Sequence, residues 1–491
     1  MIHAPDQISG GVRPKENDPE MKSIHAIAVA AFALTALPNG QADDATAAAQ
    51  GLRAQIAELD QKLRILERKL EVSEEENTRK FKAIPTITAN DRGIRFESPD
   101  KKYKFALRGL LQVDGRGFLD SGSGTSVEQN EFIIRRARPV LEGTLFEKLD
   151  FRFQPELAGT VRLLDAFLNY NFSDELKLQA GNFKAPVGLE RLKSAAALTF
   201  NERGFTGDFT PARDTGVQLH GDIDKGLLLW KAGIFNGRYD GYNGAASSPG
   251  DIDDGFDFGG SLFSHPFKKT DISLLQGLGV GIAGSWGSQE GVVVPAAPNF
   301  GTNGLRYRTL GQQNTIYQIA AGNRLEGDRY RINPSLYYYN GPWGLLGEYI
   351  LSGVGASNIA GGKQELKNQA WTVETSYILT GEDNSFRGIK PKNPVTFGEG
   401  GGWGAWEIAA RYTGLSFDDD AFRPGAQRLA TANSVGGAHS WGLGINWYLT
   451  ANLKAQFSYQ QTFFDDAPNR VPGTRGIGDE NAFFTRLQVN F

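Results

Sequence analysis

Residues 103–114 read YKFALRGLLQVD. Tyr103, Phe105, Leu107, Gly109, Leu111 and Val113 fall on one face, and Lys104, Arg108, Gln112 and Asp114 on the other. This period of two is the mark of a β-strand, whose successive side chains point to opposite sides of the pleat. The pattern recurs along the chain. Leu149, Phe151, Phe153 and Leu157 alternate with Asp150, Arg152, Gln154 and Glu156. Trp406, Ile408, Ala410 and Tyr412 oppose Glu407 and Arg411, and Trp441, Leu443, Ile445, Trp447 and Leu449 oppose Gly442, Gly444 and Asn446. In the final stretch Phe483, Thr485, Leu487, Val489 and Phe491 oppose Phe484, Arg486, Gln488 and Asn490.

A soluble sandwich alternates in the same way. Three features favour a closed membrane barrel. Strands of roughly ten residues recur over about 390 residues, which suits a barrel of about 16 strands. Aromatic residues gather near strand ends (Trp403, Trp406, Tyr412; Trp441, Trp447, Tyr448; Phe457, Tyr459), where membrane interfaces favour them. The last residue, Phe491, lies on the apolar face. The expected fold is therefore all-β and membrane-embedded: an antiparallel transmembrane β-barrel of about 16 strands preceded by a short coiled-coil helix. Tight connections (171–175, 222–226, 450–452) are expected to face the periplasm, and long polar ones (236–254, 289–303, 416–438) the exterior.

Composition agrees. The 491 residues include 61 Gly, 31 Phe, 15 Tyr and 8 Trp but 2 Met, and the mean hydropathy of -0.36 is too polar for a bundle of spanning helices. Past residue 40 no stretch approaches the roughly 20 apolar residues of a spanning helix, so insertion must use strands. Cysteine is absent, and a closed sheet without free edges is one substitute for disulfide stapling. With 52 basic and 56 acidic residues there is no net field to attract nucleic acid.

Before the barrel, Lys22 and the apolar run Ile24–Leu37, followed by Pro38 and Gly40-Gln41-Ala42, read as an export signal over 21–42, with residues 1–20 a misassigned start extension. Leu52, Ile56, Leu59, Leu63, Leu66 and Leu70 then form an a/d stripe flanked by charges, predicting a coiled-coil helix over 51–76 within a periplasmic segment 43–84. Such a helix has little to bury alone. Self-association and a plain linker are both open; the barrel is expected over 85–491.

No enzymatic constellation is present. The histidines (His3, His25, His220, His265, His439) are scattered without metal-ligand spacing, and there is neither a nucleophile elbow nor a phosphate loop. The expectation is a non-enzyme without cofactor or metal. Basic residues are concentrated early in the barrel instead. Residues 131–144, EFIIRRARPVLEGT, carry Arg135, Arg136 and Arg138. Alternation sends Arg136, Arg138 and Glu142 into the lumen and leaves Arg135 on the apolar face, where it must lie at the strand end. Guanidinium groups in a narrow lumen favour anions, and their forked geometry suits phosphate oxygens. The alternative is structural pairing with Glu142, Asp150, Glu156 and Asp165. Residues 181–205, GNFKAPVGLERLKSAAALTFNERGF, add Lys184, Arg191, Lys193 and Arg203 in a segment broken by Pro186 and Gly188. Its lack of strand periodicity predicts a loop folded inward to narrow the pore; an ordinary external loop is the alternative. Arg108, on a polar face, completes the candidate anion contacts.

Several stretches resemble the phosphate-selective porin family of the outer membrane, the group of phosphate and polyphosphate porins O and P. They are RRARPVLEGTLFEKLDFRFQPELA (135–158), LLDAFLNYNF (163–172), GNFKAPVGLERLKSAAALTFNER (181–203), SYILTGE (376–382), GGWGAWEIAARYTGLSFD (401–418) and GINWYLTANLKAQFSYQ (444–460). The resemblance implies a homotrimer of 16-stranded barrels in the bacterial outer membrane, in contact with its lipid. It implies passive diffusion of small anions, phosphate or polyphosphate, past arginines matching Arg135, Arg136 and Arg138 and loop positions matching Lys184, Arg191 and Lys193. Phe491 would mark the chain for the outer-membrane assembly machinery, and three copies of the heptad helix would suit a trimer. A general small-solute porin of weak ion preference, or a structural or adhesive surface barrel, are the rival expectations.

Overall fold

The computed structural model describes residues 42–82, 84–119, 128–238, 240, 255–294, 305–396, 398, 400–474 and 477–491. The start extension 1–20 and the export signal as far as Gln41 lie outside the described residues. Two units are present, residues 1–84 and 85–491.

Among its described residues the first unit holds one helix, α1 (Ala42–Lys82), of 41 residues. It runs well beyond the expected 51–76, because the Ala-rich start and the charged end both have good helix propensity. Glu58 pairs with Lys62 at 2.7 Å and Asp60 with Arg64 at 3.0 Å, the i,i+4 spacing that supports an exposed helix. The stripe from Leu52 to Leu70 is 55–64% exposed at every a/d position.

The second unit is built from β1 (Thr86–Asn90), β2 (Gly93–Glu97), β3 (Lys104–Phe118), β4 (Glu131–Leu145), β5 (Leu149–Glu156), β6 (Arg162–Asn171), β7 (Lys177–Phe183), β8 (Asp214–Ile223), β9 (Leu228–Phe235) and β10 (Asp257–Ser264). It continues with β11 (Leu278–Val293), β12 (Arg306–Arg308), β13 (Thr315–Gln318), β14 (Arg324–Asn340), β15 (Trp343–Ser357), β16 (Lys363–Ile378), β17 (Ala405–Ser416), β18 (Gly437–Tyr448), β19 (Leu453–Asp465) and β20 (Glu480–Asn490). Sixteen of these, β3–β11 and β14–β20, form a closed antiparallel barrel in which each strand pairs with its sequence neighbour and β20 pairs back onto β3. The register of that last pair runs from Ala482 with Phe118 to Asn490 with Leu110. Below Leu110 the edge of β3 is taken by β2, with Ile94 opposite Leu107, so the β1–β2 hairpin covers an edge that the shorter β20 leaves open.

Burial is inverted relative to a soluble protein. Leu107, Leu111, Phe153, Leu168, Leu219, Ile282, Leu443 and Leu487 are exposed on the outer face, while Gln112, Asp114, Arg136, Glu407, Arg411, Asn446, Gln456 and Arg486 are buried on the inner one. An apolar exterior over a polar interior is what a barrel in lipid requires, and it excludes the sandwich. Aromatic pairs mark strand ends on the outer face: Trp406 stacks on Trp447 at 5.0 Å and Trp343 meets Tyr377 at 4.6 Å.

The connections broadly follow the expected asymmetry, though residues 265–277 are long at the end of the tight turns and residues 358–362 short at the other. Residues 379–404 lie at the same end as the tight turns yet form a long segment, whose Phe386 stacks on Tyr337 of β14 at 5.2 Å.

Candidate functional site: the basic lumen

Between β7 and β8, residues 184–213 fold into the lumen; the inward segment expected over 181–205 thus starts later, because Gly181–Phe183 belong to β7, and runs on to Arg213. They contain α2 (Leu189–Leu192) and the short 3-10 turns Ala195–Ala197 and Phe205–Phe209. A loop inside a barrel carries backbone polar groups that must find partners, and the polar inner faces of β3 and β15–β20 supply them. Gln112 donates to the Ala195 carbonyl (3.1 Å), Gln488 to Ala196 (3.0 Å), Lys454 to Leu198 (2.7 Å), Asn446 to Thr199 (2.9 Å) and Arg411 to Glu202 (2.6 Å). Glu348 accepts from the Leu189 N–H at 2.7 Å and Thr413 from that of Phe205 at 3.0 Å. Gly442 and Gly444 leave room on β18 for the Phe200 ring, which an added Cβ would meet at 3.3–3.4 Å. The loop is thereby fixed chiefly to β15–β20, and the open passage runs beside it, bounded by β3–β11 with residues of β14, β19 and β20.

That passage is a cavity of about 1890 Å³ lined by nineteen Lys and Arg and six Asp and Glu. Seven of the eight candidate residues line it: Arg108, Arg135, Arg136, Arg138, Lys184, Arg191 and Arg203. Lys193 does not. Its ammonium turns toward the opposite wall, donating to Thr199 at 3.1 Å and standing 3.7 Å from Glu374. Lys184 donates to the carbonyls of Leu192 (3.2 Å) and Lys193 (2.9 Å), and Arg203 to those of Glu190 (3.0 Å) and Lys193 (2.9 Å). These two cations therefore satisfy the carbonyl end of α2 as well as charging the cavity wall.

Arg135 is a correction. A residue on the apolar face at the strand end was expected, but the pairing of β3 with β4 slips between Gln112 and Val113, opposite Arg136 and Ile134 respectively. Arg135 is the extra residue of this β-bulge, and a bulge re-aims a side chain. It points inward beside Arg136 and is forked onto the Glu202 carboxylate, with Nη2 to Oε2 at 2.9 Å. Arg136 donates to Gln112 at 2.6 Å.

Several cavity cations are paired with carboxylates, as the alternative reading had it. Arg138 meets Glu156 at 2.6 Å and Arg108 meets Glu142 at 2.7 Å. Arg213 meets Asp165 at 2.7 Å, and Arg152 approaches Glu142 at 3.2 Å and Asp165 at 3.5 Å. The excess of cations nevertheless persists. Arg152, Arg213, Lys231 and Lys454 also line the cavity and were not singled out from the sequence. Arg152 and Lys454 fall on polar faces that alternation does identify; Arg213 ends the inward loop, where no local pattern marks it.

Residues 105–491 match the family described as phosphate-selective porin O and P. The chain belongs to that family. It is accordingly a porin of the bacterial outer membrane. Porin O of Pseudomonas aeruginosa is 23% identical over 435 residues, 81% of this porin and 91% of that protein. Among solved structures, the outer-membrane channel DcaP of Acinetobacter baumannii aligns at 11% identity and a TM-score of 0.49, covering 81% of this porin and 99% of that chain. An anion-selective porin from Comamonas acidovorans aligns at 12% identity and a TM-score of 0.46, covering 79% and 100%.

Proposed function

We propose that this porin conducts small anions passively, with a preference for phosphate or polyphosphate, through the Arg/Lys-lined passage beside the inward loop. The observation that carries the reading is the nineteen-to-six excess of basic over acidic residues around the cavity. Forked guanidinium donors suit tetrahedral oxyanions, and the family's description as phosphate-selective points the same way. Arg135, Arg136 and Arg138 on the wall and Arg191 and Arg203 on the loop would replace part of the anion's hydration. Several weak sites in series would then let it leave. Partial pairing, such as Arg138 with Glu156, keeps each site from holding its anion too firmly.

The reading extends to assembly. Three copies of the protein would form a homotrimer, with residues 43–84 on the periplasmic side and the exposed stripe of α1 buried between copies. The terminal strand with Phe491 would present the chain to the outer-membrane assembly machinery, and residues 21–42 would be removed on export.

The ion pairs Arg138–Glu156 and Arg213–Asp165 favour a second reading, a general porin whose arginines are structural. Single-channel recording separates the two. Chloride current through an anion-preferring pore falls on adding millimolar phosphate, whereas a general porin shows no such block.

A further inference from the structure

Four arginines from three barrel strands surround one carboxylate on the inward loop. Glu202 receives both nitrogens of the Arg135 fork. Arg116 and Arg136 stand 3.6 Å from it and Arg486 3.8 Å, inside ion-pair range but beyond hydrogen-bonding range. Their remaining partners leave the cluster short of acceptors. Arg486 is forked onto Asp114, Arg136 donates to Gln112, and Arg116 reaches the Gly311 carbonyl at 3.3 Å and Glu131 at 3.4 Å. Arg116 Nε, Arg136 Nε and Arg486 Nη1 are buried without an acceptor among the described residues. Four guanidinium charges thus face two buried carboxylates, Glu202 and Asp114, with Glu131 at the partly exposed margin.

We propose that Glu202 is a tethered counter-anion: it occupies the seat a transported anion takes in this arginine cluster, and so sets how tightly, and for which anions, the pore binds. This deepens the anion-channel reading and rests on it. The geometry supports the role in two ways. Glu202 is carried by the loop rather than by the wall that supplies the arginines, and two of those arginines, Arg135 and Arg136, line the passage. The three unpartnered N–H groups also mark donor capacity that one carboxylate does not use. A tetrahedral oxyanion brings several acceptor oxygens and can engage these donors while displacing the carboxylate; chloride offers one point of charge and competes poorly. The tethered carboxylate therefore disfavours halides more than oxyanions, and it weakens oxyanion binding enough for release.

The test uses the full-length porin in planar bilayers, with inorganic phosphate titrated against chloride current. In Glu202→Gln the half-blocking phosphate concentration is expected to fall roughly tenfold, because a buried like charge near the seat is removed. The chloride-over-potassium permeability ratio is expected to rise. Glu202→Asp keeps the charge but withdraws it by one methylene, and should shift both quantities in the same direction by less. Half-block within twofold of wild type in both variants would overturn the proposal. If Glu202→Gln does not assemble, the Asp variant decides: an unchanged value refutes and a lowered value supports. A wild-type pore that phosphate does not block removes the underlying anion reading instead, a distinguishable failure.

Discussion

Arg486, on the last strand of the barrel, places two nitrogens on the two carboxylate oxygens of Asp114, on the first, at 2.6 Å each. Both side chains are essentially inaccessible, at 0% and 1% exposure. On the outer side of the same seam Gly109 and Phe491 exchange backbone hydrogen bonds of 2.9 and 3.1 Å, and the Phe491 ring lies over Gly109. The seam is thus held by a buried ion pair inside and by an aromatic ring over a glycine outside.

Removing one partner of this pair strands a buried charge. Asp114→Ala should cost about 3–5 kcal/mol of barrel stability, the more so because Arg116 and Arg136 stand near the orphaned Arg486. The double variant Asp114→Ala/Arg486→Ala should be less destabilised than Asp114→Ala alone. Denaturant unfolding of the reconstituted barrel measures this, and additive losses would refute the coupling.

On β18, Gly444 admits the Phe200 ring. An added Cβ there would sit 3.4 Å from Phe200 and 3.7 Å from Ala409, which is ordinary contact. Gly444→Ala should leave single-channel conductance near wild type, whereas Gly444→Leu should push the loop into the passage and reduce conductance while the barrel still folds. Equal conductance in the two variants would show that the loop is not seated there.

Arg138 and Arg213 are cavity arginines that each hold a carboxylate of the barrel wall. Replacing both with Ala leaves Glu156 without its guanidinium partner and Asp165 with only the more distant Arg152. The chloride-over-potassium permeability ratio should fall roughly threefold or more. A ratio unchanged within error would assign these arginines to wall structure.

The exposed stripe of α1 predicts association. Leu59→Asp together with Leu63→Asp should lower the temperature at which the oligomer dissociates in mild detergent, with strand content by circular dichroism unchanged. A variant oligomer as heat-resistant as wild type would exclude this role for the helix.

The faces of the barrel strands were legible because a period of two is set by the pleat itself: Glu407 and Arg411 were read inward from sequence and are buried inward. Arg135 was not, because a bulge shifts the register by one residue without any mark in the alternation. The inward course of residues 184–205 was legible from the absence of strand periodicity, while its continuation to Arg213 was not. The direction of Lys193 was not, since it depends on Thr199 and Glu374, which only the folded loop brings near. Glu202 escaped notice for a related reason. Its importance comes from arginines 66 or more residues away, Arg116, Arg135, Arg136 and Arg486, which closure of the barrel gathers around it.

Anion selectivity and phosphate preference are both read from the reversal potential of the purified porin in a bilayer across a potassium chloride gradient, repeated with potassium phosphate added to both sides. A strongly chloride-selective potential is expected, with a chloride current that phosphate suppresses at millimolar concentrations or below. A reversal potential near zero, with current indifferent to phosphate, would contradict both.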